Sequence, residues 1–204
     1  MEVVKQSCEI VSPFDREIAL SVLEMAGRTC YKSQCGDSGK FIKKITKSGH
    51  HSVVEHYVVS VRIITNRAIS HQLVRHRVAS FSQESQRYCN YSKDKFDNQL
   101  TFIDPIDLNE NQYNCWNESM TQAEQNYFKM IEEGCKPQQA REVLPNACKT
   151  EMVMTANLRE WAHVFELRTK NGADPMVMDL IRPLQKQFQE ILPEVFGVEE
   201  EKEK

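Results

Sequence analysis

Residues 70–91, S-H-Q-L-V-R-H-R-V-A-S-F-S-Q-E-S-Q-R-Y-C-N-Y, gather Arg75, His76, Arg77 and Arg87 among serines and glutamines, in a chain whose formal net charge is -3. From Tyr57 to Gln83 there is no Asp or Glu at all, while Arg62, Arg67, Arg75 and Arg77 all fall inside that span. Fixed cationic donors without counter-charges are the composition of an anion site. A solvated basic helix carries the same pattern, so charge alone does not decide between them.

The flanks narrow the choice. Tyr57 to Thr65, Y-V-V-S-V-R-I-I-T, is predicted as a strand from its β-branched content, and Asn66 as the cap of a helix running through His76. On such a helix Gln72 and Arg75 share a face, whereas Arg75 and Arg77 stand about 200° apart. Arginines aimed in different directions suit a helix between two anionic ligands better than one lying on a continuous phosphate track. Ser80 to Arg87 is polar at nearly every position and free of glycine, which predicts an extended, ligand-facing segment; a Ser/Gln-rich loop is the plainer alternative.

Toward the N-terminus, Glu2 to Val11 reads as a strand. Pro13, Asp15 and Glu17 open a helix through Arg28 whose stripe Ile18, Val22, Met25 and Ala26 is expected in the core. Gly36 to Gly39 is a turn cluster, followed by an amphipathic helix carrying Phe41, Ile42 and Ile45 that Gly49 ends. Toward the C-terminus, Asp94 to Asn111 looks irregular, and Gln112 to Glu133 has helical spacing through Trp116, Met120, Ala123, Tyr127 and Met130. Pro137 to Pro145 makes a short helix, Cys148 to Ala156 a strand, and Asn157 caps a helix over Leu158 to Thr169. There Trp161, Val164, Phe165 and Arg168 follow i, i+3, i+4, i+7 spacing, so an apolar stripe ends in an arginine that needs an anionic partner. Arg159 and His163 lie four apart on another face. Asp174 to Phe188 forms a last amphipathic helix, and residues 198–204 are a charged, solvated tail.

At 204 residues, 40% hydrophobic and 27% charged, the chain has the composition of one soluble globular domain, expected over residues 1–197. No run of about eighteen apolar residues is present, and Met1 to Lys5 lacks the order of a signal peptide, so a cytoplasmic location without membrane contact is expected. Seven cysteines without a C-x-x-C pair point to reduced, packing thiols. Neither familiar glycine loop for phosphates occurs, so arginine forks must hold any phosphate.

Two other functions remain compatible with the residues: a nonenzymatic nucleic-acid-binding domain using the basic helix, and a metal-dependent hydrolase built on His50, His51, Glu55 and His56. Acidic net charge weighs against the first. The second lacks the H-E-x-x-H order and an accompanying cysteine pair, and no metal is expected.

Arg75-His76-Arg77, seven further residues and then Ser85-Gln86-Arg87-Tyr88 resemble the signature of the flavin-dependent thymidylate synthases. His50, Ser52 and Glu55 match on one side and Arg141 and Arg168 on the other, so the likeness runs from about His50 to Arg168. Gln83 and His163 stand where some members carry Glu and Asn, and Asn171 to Pro175 lacks a histidine that some have. The resemblance implies an α+β fold, a mixed sheet with flanking helices, assembled as a homotetramer with sites where subunits meet. It implies methylation of dUMP to dTMP with 5,10-methylenetetrahydrofolate as carbon donor, FAD as hydride carrier and NADPH as reductant, and no nucleic-acid partner. Carried over by position, Ser52, Arg75, His76, Arg77, Gln83, Asn157, Leu158, Arg159 and His163 would touch FAD. Gln72, Leu73, Val74, Arg75, Gln83, Glu84, Ser85, Gln86, Arg87, Arg141 and Arg168 would hold the nucleotide, with Arg168 stabilising the uracil anion as charge develops.

Overall fold

The computed structural model describes residues 1–32 and 36–197, so the charged tail expected at 198–204 lies outside the described residues. The elements run β1 (Glu2–Val4), β2 (Ser7–Ile10), α1 (Arg16–Tyr31), α2 (Ser38–Lys47), β3 (Val58–Asn66), α3 (Arg67–Leu73), β4 (Ala79–Gln83), β5 (Thr101–Ile103), α4 (Glu110–Glu132), α5 (Pro137–Ala140), β6 (Lys149–Asn157), α6 (Leu158–Thr169), α7 (Pro175–Ile191) and α8 (Pro193–Phe196). Four strands form a sheet in the order β2-β3-β6-β4, and β1 pairs in parallel with β5. β3 and β6 bury alternate residues, Val59, Val61, Ile63 and Thr65 on one, Thr150, Met152, Met154 and Ala156 on the other, the period-two burial expected of these stretches. Helices and strands together make a mixed α+β architecture.

The chain divides into two compact units: Met1–Ser7, Ile63–Arg75 and Phe81–Val153 form the first, and Cys8–Arg62, His76–Ser80 and the chain from Met154 onward form the second. In the first, Tyr91, Leu100, Phe102, Met120, Tyr127, Ala140 and Cys148 make the core. α4 begins at a capping box in which Asn109 and Gln112 satisfy each other's backbone N–H groups. In the second, Trp161, Phe165, Phe188 and Phe196 form an aromatic cluster joining α6, α7 and α8. Burying an aromatic side chain is worth roughly 1.5–3 kcal/mol, so this cluster helps to seat α6.

Several expectations are corrected. On α1 the buried face is Ala19, Leu20 and Leu23, whereas Ile18 is 55% and Met25 67% exposed. The cause lies at Gly27, where a Cβ would come within 2.8 Å of Phe41: only glycine lets α2 approach so closely, and that approach buries the Leu23 face instead. α3 stops at Leu73, so Arg75 and Arg77 are not on a helix and their angular separation has no helical meaning. Val74 N–H closes the last turn on Ser70 O. Within the span expected to be irregular, Thr101–Ile103 is a strand, too short to show a period and stabilised by a partner at the far N-terminus. Ser80 to Arg87 is extended only as far as Gln83 and then turns at Gln86–Tyr88.

Candidate active site

α6 forms where the sequence expects it, because Asn157 accepts from Glu160 N–H at 2.9 Å and caps its first turn. Its buried face holds Trp161, whose Nε1 donates to Val59 O at 3.0 Å. One turn beyond Phe165, the partly buried Arg168 donates from Nε to His76 Nε2 at 3.1 Å. His76 is 3% exposed and its Nδ1 lies 3.0 Å from Glu160 Oε1, so one imidazole links an arginine and a carboxylate of the same helix. Burial holds His76 below its ordinary pKa, opposed by the Glu160 hydrogen bond and reinforced by the Arg168 charge. The ring is neutral at pH 7.

A cleft of about 560 Å³ opens on this group, lined by His51, Glu55, Val78, Asn157, Arg159, Glu160, Ala162, His163 and Glu166. It brings together three residues expected at the flavin, Asn157, Arg159 and His163. His163 is half exposed and sets its ring edge-to-face on His76 with centroids 5.5 Å apart. Arg159 is exposed and paired with Glu55. Ser52 precedes the 3-10 turn Val53–His56 and is exposed, but it is not among the cleft's lining residues. Leu158 is wholly buried and its N–H donates to Tyr57 O at 3.1 Å, which leaves it a packing role. Arg77 is exposed.

The first unit holds the remaining expected residues. Gln83 donates from Nε2 to Ser70 Oγ at 3.0 Å and to Thr150 Oγ1 at 3.1 Å. Ser70 in turn gives its proton to Arg67 O, so its hydroxyl can only accept from the amide, while Thr150 also accepts from Arg67. That fixes the amide's orientation and leaves the Gln83 carbonyl oxygen for a ligand. Glu84 is engaged on both oxygens, by Tyr91 OH at 2.6 Å and Lys149 Nζ at 3.1 Å. A cleft of about 440 Å³ exposes Ser82, Gln83 and Glu84. Leu73 is fully buried, Gln72, Val74, Ser85 and Gln86 are partly so, and Arg75, Arg87 and Arg141 are exposed, Arg87 donating to Gln138 Oε1 at 3.3 Å.

α3 carries Arg67 alone of the arginines, and that side chain is turned onto Glu84 O and Thr150, so the basic residues expected together on one helix are not. Among the described residues the cluster whose donor atoms lie within 4.8 Å of one another is His76, Glu160 and His163, not the histidines near residue 50. The Arg168 guanidinium bonded to His76 opposes a second cation there, so the cluster reads as a hydrogen-bond relay. Glu160 escaped the sequence reading because an acid three residues after a capping Asn has an ordinary explanation as a capping box.

The donor set of the second unit fits a flavin dinucleotide. Arg159 and His163 offer exposed N–H donors to phosphate or ring edges, and an exposed pair such as Arg159 with Glu55 is worth only about 0–1 kcal/mol, so a phosphate can displace it cheaply.

Comparison with known proteins places the chain among relatives. The model for the thymidylate synthase complementing protein family matches residues 16–194. The flavin-dependent thymidylate synthase of Geobacter sulfurreducens is 32% identical over 187 residues, 86% of this chain and 80% of that one. That of Pyrococcus furiosus is 35% identical over 133 residues, 65% of this chain and 54% of that one. The crystal structure of the UMP/dUMP methylase PolB from Streptomyces cacaoi bound with 5-Br dUMP shares the fold, with a TM-score of 0.78 at 17% identity over 96% of this chain and 95% of that one.

Proposed function

Because the chain belongs to the thymidylate synthase complementing protein family, the flavin-dependent thymidylate synthases, we propose that it methylates dUMP to dTMP, taking the carbon from 5,10-methylenetetrahydrofolate and the reducing equivalents from NADPH, with FAD as carrier and tetrahydrofolate released. The observation that carries this is Arg168, held on a buried stripe of α6 with its Nε committed to His76. Loss of the uracil proton between the two carbonyls leaves a ring anion, and a permanently charged planar fork steadies it without itself exchanging a proton. Gln72 to Arg75, Gln83 to Arg87 and Arg141 hold the nucleotide; where the side chain is buried, as at Leu73, only backbone is offered. By their places in the family signature, Arg159, His163, Asn157, Ser52, Arg75, Arg77 and Gln83 hold the flavin, whereas His76, buried with both ring nitrogens bonded to Arg168 and Glu160, has no side-chain donor left for it. When bound, the flavin supplies hydride and a surface for the pyrimidine to stack on.

Purified protein mixed with FAD should turn yellow and form dTMP only when dUMP, methylenetetrahydrofolate and NADPH are all present. Colourless protein that makes no dTMP would refute the proposal.

The enzyme acts in the cytoplasm as a homotetramer. Ile18, Val22 and Met25 support self-association: spaced four and three apart, they form a stripe on α1 whose ends are exposed, and an exposed apolar stripe marks a contact surface. Light scattering on the flavin-loaded protein should give four times the chain mass; a monomer mass would remove the tetramer.

No cysteine acts as nucleophile, unlike the cysteine-dependent synthases. Burial pushes the Cys8 and Cys148 thiols up to about 12, so both stay protonated. Cys89 packs against the core of the first unit. The Ser85 hydroxyl accepts from Arg87 N–H at 3.3 Å, a turn contact with no base against it. Cys89→Ser is expected to keep most of the rate and Ser85→Ala to weaken nucleotide binding without abolishing turnover. A Cys89→Ser protein that binds FAD and dUMP but makes no dTMP would contradict this.

A further inference from the structure

An arginine Nε keeps its hydrogen at every accessible pH, so the contact from Arg168 Nε to His76 Nε2 makes that ring nitrogen the acceptor. The single proton of the neutral ring therefore sits on Nδ1, which faces Glu160 Oε1. Glu160 is itself 8% exposed, in the first turn of α6, and its Oε1 is engaged in this bond. The order carboxylate, imidazole, guanidinium is thus chemically determined in one sense only. The other tautomer would set two N–H donors against each other at the Arg168 end and two acceptors at the Glu160 end.

We propose that Glu160 is a positioning residue for the reaction: by accepting from His76 Nδ1 it holds Nε2 as the acceptor for Arg168 and so sets the orientation of the guanidinium. This rests on the reading of Arg168 as the group that steadies the uracil anion. Protonating His76 places N–H groups on both nitrogens, sets two positive charges together and releases Arg168. The titratable groups facing the ring are Glu160, Arg168 and His163: Arg168 and His163 favour its neutral form and Glu160 its charged form. Turnover should accordingly fall on the acid side as His76 gains its proton.

The test uses the flavin-loaded enzyme at saturating dUMP across pH, with Glu160→Ala, Glu160→Gln and Arg168→Lys. Glu160→Ala is expected to lower kcat about tenfold to a hundredfold, the scale of losing one hydrogen bond to a charged group. Its acid limb should move to lower pH, since the group that favours charged His76 is gone. Glu160→Gln keeps a carbonyl acceptor, and with it the fold and most of the plateau rate, while its acid limb stays low. Nitrogen-15 spectra of the free protein's six histidines should show one ring held with its proton on Nδ1, and Glu160→Ala should replace that signature with a tautomer average. A wild-type rate in Glu160→Ala, or a lower rate with an unmoved acid limb and an unchanged histidine signature, would overturn the proposal while Arg168→Lys remained slow. A normal rate in Arg168→Lys would instead remove Arg168 from the chemistry, and this role with it.

Discussion

Arg168→Lys should lower turnover at saturating dUMP by at least about a hundredfold, the scale of losing one preorganised donor to a developing negative charge. Lysine keeps the charge but loses the fork. Arg168 uses Nε to anchor on His76 at 3.1 Å, which sets the plane of the guanidinium. A lysine has three donors on a single nitrogen and no planar fork, so it cannot reproduce an anchored guanidinium plane. The loss should therefore fall on kcat more than on KM, because the interaction strengthens only as the ring becomes an anion. Measuring dTMP formation under saturating nucleotide and flavin checks this, and a rate near the native one would take Arg168 out of the mechanism.

Trp161→Ala should cost about 3–5 kcal/mol of stability, the range for removing a large buried aromatic. Set against a total of about 5–15 kcal/mol for a domain, that is enough to bring the protein close to its unfolding threshold. Trp161 is fully buried, packs on Phe188 with centroids 5.5 Å apart and donates to Val59 O. Its removal leaves a cavity and an unpaired carbonyl together. The loss reaches the site, since Trp161 seats the helix that carries Arg159, Glu160, His163 and Arg168. Urea denaturation compared with Glu166→Ala, whose exposed side chain predicts a change within about 0.5 kcal/mol, gives the measurement. A cost under about 1 kcal/mol would show that α6 is held by something else.

α6 was decided locally. Asn157 supplies the cap, the spacing of Trp161, Val164 and Phe165 supplies the buried stripe, and Arg168 one turn on is carried inward with them. Caps and periodicity act within a few residues, so the sequence alone determined both the helix and the inward arginine. The same holds for the alternation that made β3 and β6. Sequence order also carried the family likeness from His50 to Arg168, because a signature is a matter of residues in a row.

Tertiary structure decided what no local pattern contains. On α1 two apolar stripes compete within one helix, and the choice falls to Gly27, which admits α2 over the Leu23 face and leaves Ile18 and Met25 outside. β5 exists because Val3 finds Phe102 across nearly a hundred residues. α3 ends at Leu73, and three residues on His76 is buried against Glu160, 84 positions away in the chain. That pairing turned an ordinary first-turn acid into a member of the site and set an imidazole against Arg168. Contacts of such separation depend on how elements pack, and neither period nor spacing encodes them.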